Sequence, residues 1–120
     1  MSARSEHGSV TVVAAAVMAM LVVLSMGVAD VGRALLAREQ ARTAADAAAL
    51  AAVAELAFPT GGDPIAIARD YAARNGAELS SCSCTPGVME ATVSVSVPIP
   101  GFLLFPGGAT VSVQARAVAG

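Results

Sequence analysis

The chain has no tryptophan, one tyrosine and three phenylalanines, so any core it builds is made of small aliphatic side chains. It has no lysine either; all seven basic residues are arginine, and they are scattered singly. With a net charge of −2, it lacks the basic cluster that would neutralise several phosphates, which argues against a nucleic-acid partner. The one histidine, His7, lies in the N-terminal tail, leaving no Ser, Cys or Asp a partner base for nucleophilic or acid–base chemistry. There is no Gly-rich phosphate loop between a strand and a helix, and two cysteines are too few ligands for zinc. No catalytic residue, cofactor or metal site is therefore expected.

Charge is also missing from Gly8 to Ala29, and within that stretch Val10 to Ala29 is a 20-residue apolar run. At 1.5 Å per residue such a run extends about 30 Å, the hydrocarbon thickness of a bilayer. A domain of this size cannot surround a helix that is apolar on every face. The expected organisation is a polar leader over residues 1–8, a transmembrane helix over 9–30 and an extracytoplasmic α+β domain over 31–120. A domain that small buries only about 60% of its unfolded surface and is marginal without help. The membrane helix is the expected helper.

No proline occurs before Pro59, and the sequence after Asp30 is dense in Ala, Leu, Glu, Gln and Arg, all strong helix formers. One continuous helix from about Ser9 to about Ala57 is expected, its continuation covering 31–57. Leu35, Leu36, Leu50, Val53 and Leu56 with the alanines are expected to form an apolar stripe, and the alanines around Asp46 to allow close approach of another element. Arg42 and Asp46 are spaced for an i,i+4 pair, worth about 0.3 kcal/mol when exposed, with a solvated charge the favoured alternative.

Asp63 is placed as an N-cap with Pro64 at the first helical position, predicting a second helix over 63–76 with Ile65, Ala68, Tyr71 and Ala72 on one side. Gly76 sits where a left-handed C′ residue is expected. Beyond Glu78 the period changes to two, in AELSSCSC, VMEATVSVSVPI and ATVSVQARAV, predicting a three-stranded antiparallel meander over 78–118. Val93, Val95 and Val97 would share a face with Val111, Val113 and Ala115 and cover the alanine stripe. In the intervening PIPGFLLFPGG, Pro98, Pro100 and Pro106 oppose regular pairing, so Phe102, Leu103, Leu104 and Phe105 fall on a loop. That loop either folds back to cap a core short of bulky side chains, the favoured reading, or docks on a partner or the membrane surface.

Cys82 and Cys84 in an extended strand would lie about 6.5–7 Å apart, so bridging them requires a local bend. Oxidation, as a CxC link or between two chains, is preferred over free thiols for an extracytoplasmic domain. The alanine excess and all-arginine basic set read as a GC-rich bacterial genome.

The block DVGRALLAREQARTAADAAALAAVAEL, directly after the apolar helix, resembles the TadE/TadG-like proteins of the tight-adherence (Flp) pilus assembly system. Asp30, Arg33, Gln40, Ala44, Ala45, Asp46 and Ala47 to Leu50 carry the resemblance, with GSVTVV at the start. It covers residues 8–57, and the short alanine-rich style is similar to actinobacterial TadE-like proteins linked to secretion genes. The resemblance implies a pseudopilin-like, non-catalytic subunit of a pilus or secretion apparatus, anchored in the membrane and contacting other subunits, a homo-oligomer included. Asp30, Arg33, Asp46 and the 102–105 loop are its candidate partner contacts. It also implies prepilin-peptidase cleavage after Gly8, exposing Ser9, with a Glu five residues on; here that residue is Val13. A valine cannot pair with a neighbouring amino terminus, so a permanently anchored, TadG-like state stands beside cleavage.

Arg4 precedes the apolar run and Arg33, Arg38 and Arg42 follow it, which by the positive-inside rule argues weakly against an outside C-terminal domain. Family layout and the cysteines favour the N-terminus inside the cytoplasmic membrane. The alternative is a secreted domain released after Ala29, where Gly27-Val28-Ala29 resembles a small-x-small site, although the apolar run is long for a signal peptide.

Overall fold

The computed structural model describes residues 3–99, 101, 103 and 107–119, with side chains from Gly8 onward. Its elements in chain order are α1 (Ala3–Ala57), α2 (Pro64–Arg74), β1 (Glu78–Ser83), β2 (Glu90–Ile99) and β3 (Ala109–Val118). This is the expected α+β architecture, drawn out to 86 × 25 × 17 Å by the 55-residue α1.

Helix α1 begins at Ala3, earlier than the expected start near Ser9. A single internal glycine such as Gly8 costs a helix only about 1 kcal/mol and does not stop it. Its N-terminal half presents apolar side chains on all sides, Val10, Met18, Leu21 and Leu24 each more than half exposed. Its C-terminal half is the spine of the head. Ala41, Ala44, Ala45, Ala48 and Ala52 recur at three- and four-residue spacing, and all are fully inaccessible.

The sheet is an antiparallel meander in the order β1-β2-β3. The pairs Val93↔Ala115, Val95↔Val113 and Val97↔Val111 hold the expected register. Along β2 the odd positions from Ala91 to Ile99 are buried and the Ser and Thr between them half-buried, the signature of one face packed on a helix. Val93 and Val95 are the largest fully buried side chains, so the core is as light as the composition requires.

Two details of the expected stripes are corrected. Val53 and Leu56 enter the core, but Leu35, Leu36 and Leu50 are 58%, 73% and 62% exposed. The closed face of α1 is the one lined by Ala41, Ala44, Ala45, Ala48 and Ala52, and these three leucines lie on the face opposite it. On α2, Ala68 and Ala72 are buried while Ile65 and Tyr71 remain about 40% exposed.

The caps follow their residues. Asp63 accepts from the Ile65 amide at 3.1 Å, with Pro64 next in line. Gly76 adopts φ +76°, and a Cβ there would collide with the Gln40 side chain, whose Nε2 donates to the Asn75 carbonyl at 3.3 Å. Gln40 of α1 thereby holds the end of α2. Cys82 and Cys84 are joined as a disulfide with Cα atoms 5.5 Å apart, the chain contracting where β1 ends.

Candidate functional site

Among the described residues two polar side chains of α1 are buried, and each sits at an end of the head. Asp30, the first charge after the apolar run, is 7% exposed and its Oδ1 accepts from the Leu103 amide at 2.8 Å. That contact spans 73 positions in sequence and ties the β2–β3 connection to the point where the apolar segment ends. Leu103 lines a shallow apolar groove with Met18, Leu21, Val22, Ser25 and Met26 of the helix below.

Glu55 holds the other end. A carboxylate near a helix C-terminus opposes the helix dipole and needs a compensating partner. Glu55 accepts from the Thr60 hydroxyl at 2.7 Å, the Thr60 amide at 2.8 Å and the Gly62 amide at 2.9 Å, closing the turn between α1 and α2. The Thr60 hydroxyl and amide and the Gly62 amide hold its pKa below the ordinary 4.5, against the opposing pull of burial. The sequence reading gives Glu55 no role; its position four residues before Pro59-Thr60-Gly61-Gly62 is the signal that could have exposed it.

Asp46 is exposed and does not ion-pair with Arg42. Among the described residues the ion pairs are Asp70–Arg74 and Glu90–Arg116, each at 2.8 Å and exposed. Arg38, Arg42 and Asp46 instead edge a shallow cleft of about 420 Å³ against Val111, Ser112, Val113 and Gln114 of β3. Arg33 is exposed on α1, as are Gly8 and Ser9 within the same helix. Phe102, Leu104 and Phe105 lie outside the described residues. The structure thus brings Asp30 and Leu103 together and leaves Asp46 on a separate surface. Among the described residues no group of three or more His, Cys, Asp or Glu could hold a metal ion.

An apolar helix long enough to cross a membrane, continued without a break into the spine of a small α+β head, defines a stalk-and-head protein of the single-helix kind. Residues 8–55 match the Tad family model, Flp pilus-assembly TadE/G-like, and over this segment the chain is similar to that family. The match begins five residues after α1 does and ends two residues before it, so the matched segment lies wholly within the helix. No curated protein and no solved structure matches the chain.

Proposed function

We propose that the chain is a membrane-anchored, non-catalytic subunit of a pilus-assembly or secretion apparatus, single-pass in the cytoplasmic membrane with its head on the extracytoplasmic side. The observation that carries this reading is the placement of the TadE/G-like segment within a helix whose N-terminal half is apolar all round. An exposed apolar surface of that extent is stable in lipid and not in water. The Cys82–Cys84 bond supports an oxidising compartment for the head. The subunit works by helix packing and by contacts with other subunits or copies of itself, for which Arg33, Asp46 and the 102–105 loop are the candidate residues.

Fractionation combined with sequencing of the mature N-terminus tests the anchor. The full chain is expected to stay in membranes through high-salt and carbonate washes and to begin at Met1, Ser2 or Ser9. Recovery in the soluble fraction, or a chain beginning at Asp30, refutes the anchor and leaves a secreted domain. For orientation, Cys82 and Cys84 are expected to react with an impermeant reagent in intact cells once reduced; reaction only after lysis reverses the topology.

A further inference from the structure

We propose that Leu103, in the β2–β3 connection, is a second membrane contact, whose side chain enters the acyl-chain region beside the helix while Asp30 holds it there; this rests on the anchored reading of α1. The last pair of β2 and β3 is Ile99↔Ala109, so Leu103 lies in the connection between the two strands. The 2.8 Å bond from the Leu103 amide to Asp30 places Leu103 at the apolar half of α1.

The depth follows from helix geometry. Leu103 shares its groove with Met18, Leu21, Val22, Ser25 and Met26, which fall on one helical face. At 1.5 Å per residue Met26 lies about 6 Å and Met18 about 18 Å below Asp30. With the 10–29 run placed across a bilayer, that groove is at hydrocarbon depth in the leaflet bordering Asp30. Ser25 does not make it polar, because its hydroxyl donates to the Leu21 carbonyl at 2.8 Å within the helix.

The chemistry of the connection suits lipid. No charged residue occurs between Glu90 and Arg116. Backbone amides are costly in hydrocarbon unless satisfied. The N–H of Leu103, the residue placed in the groove, is taken by Asp30. Leu103 remains 49% exposed after docking on the helix, so its outer side is available to acyl chains. The occupant is the lipid of the leaflet itself, since the groove is continuous with the lipid-facing helix surface.

The absence of tryptophan makes the test direct, because any introduced Trp is the sole one. The full chain is reconstituted into phosphatidylcholine vesicles with or without dibrominated acyl chains, carrying either Leu24→Trp on the helix or Leu103→Trp in the connection. A loss of Leu103→Trp emission comparable to that of Leu24→Trp is expected. Quenching of Leu24→Trp with Leu103→Trp unquenched overturns the insertion of Leu103 while the anchor stands, and assigns the groove to protein contact. No quenching at either site overturns the anchor. Broadening of the wild-type Leu103 methyl resonances by nitroxide-labelled lipid answers the same question without a substitution; unbroadened Leu103 methyls beside broadened Leu24 methyls overturn the insertion of Leu103.

Discussion

Replacing Ala48 with leucine puts two opposing terms in the middle of the head. The larger side chain adds three carbons, and burying them would stabilise by about 0.8 kcal/mol each, or roughly 2.4 kcal/mol, if space existed. Ala48 is fully inaccessible and belongs to a helical face on which Ala41, Ala44, Ala45 and Ala52 are equally closed. At native packing density no gap of three carbons remains, so that gain is not realised, and forcing extra methylenes into such an interface destabilises by a net of about 1–3 kcal/mol through off-rotamer side chains and backbone shifts. The steric term wins because the helix–sheet separation is set by a row of alanines, so moving one contact apart loosens all of them. For a head of this size about 1 kcal/mol shifts the midpoint by about 4–8 °C. Thermal unfolding of the full chain in detergent, followed by circular dichroism, is expected to give a midpoint at least about 4 °C below wild type. A midpoint equal to or above wild type would refute the close-packed alanine interface.

Gly76→Ala forces a Cβ into a left-handed backbone and onto the Gln40 side chain, and is expected to cost about 1–2 kcal/mol in denaturant titration; adding Gln40→Ala should recover the crowding part alone, and a neutral Gly76→Ala contradicts both. Glu55 has a folded pKa below its unfolded value, so its contribution is complete above the ordinary 4.5 and is lost as pH falls through the depressed folded value. A carboxyl titration by NMR should therefore place its midpoint below 4.5, with the Thr60 and Gly62 amide shifts following it; a midpoint at or above that value removes the cap from the argument. Asp46→Leu is expected to leave stability within about 0.5 kcal/mol, as at other exposed sites. It should nevertheless be lost from pull-downs of neighbouring assembly proteins, where breaking a desolvated charge pair costs about 2–5 kcal/mol; an unchanged pull-down makes Asp46 a solvated charge.

Several features were legible before any coordinates because their causes are local. The apolar run of 10–29 is a matter of length and charge, the Asp63-Pro64 helix start of covalent geometry and one side-chain oxygen, and the Val93–Val113 register of a strict two-residue period. The TadE/G-like segment was likewise readable from Asp30, Gln40 and the alanines through Leu50. What the amino-acid order could not rank was which apolar residues of α1 face inward. Leu35, Leu36 and Leu50 are better core formers than alanine by transfer energy, yet they lie outside. The face of α1 that the sheet and α2 close over is the one carrying Ala41, Ala44, Ala45, Ala48 and Ala52, and that choice is made only once helix and sheet have met.

The polar contacts divide in the same way. Glu55 bonds to Thr60 and Gly62 a few residues along the chain, and the nearby Pro-Gly turn could have signalled it. Gln40 with Asn75 and Asp30 with Leu103 join positions 35 and 73 residues apart. No periodicity encodes such pairs. Sequence by itself determined that this chain has a membrane-length stalk and an α+β head of small side chains. Tertiary structure alone decided that the first charge after the apolar run holds Leu103 and that alanines rather than leucines form the spine, because both depend on distances that close only when the chain folds back on itself.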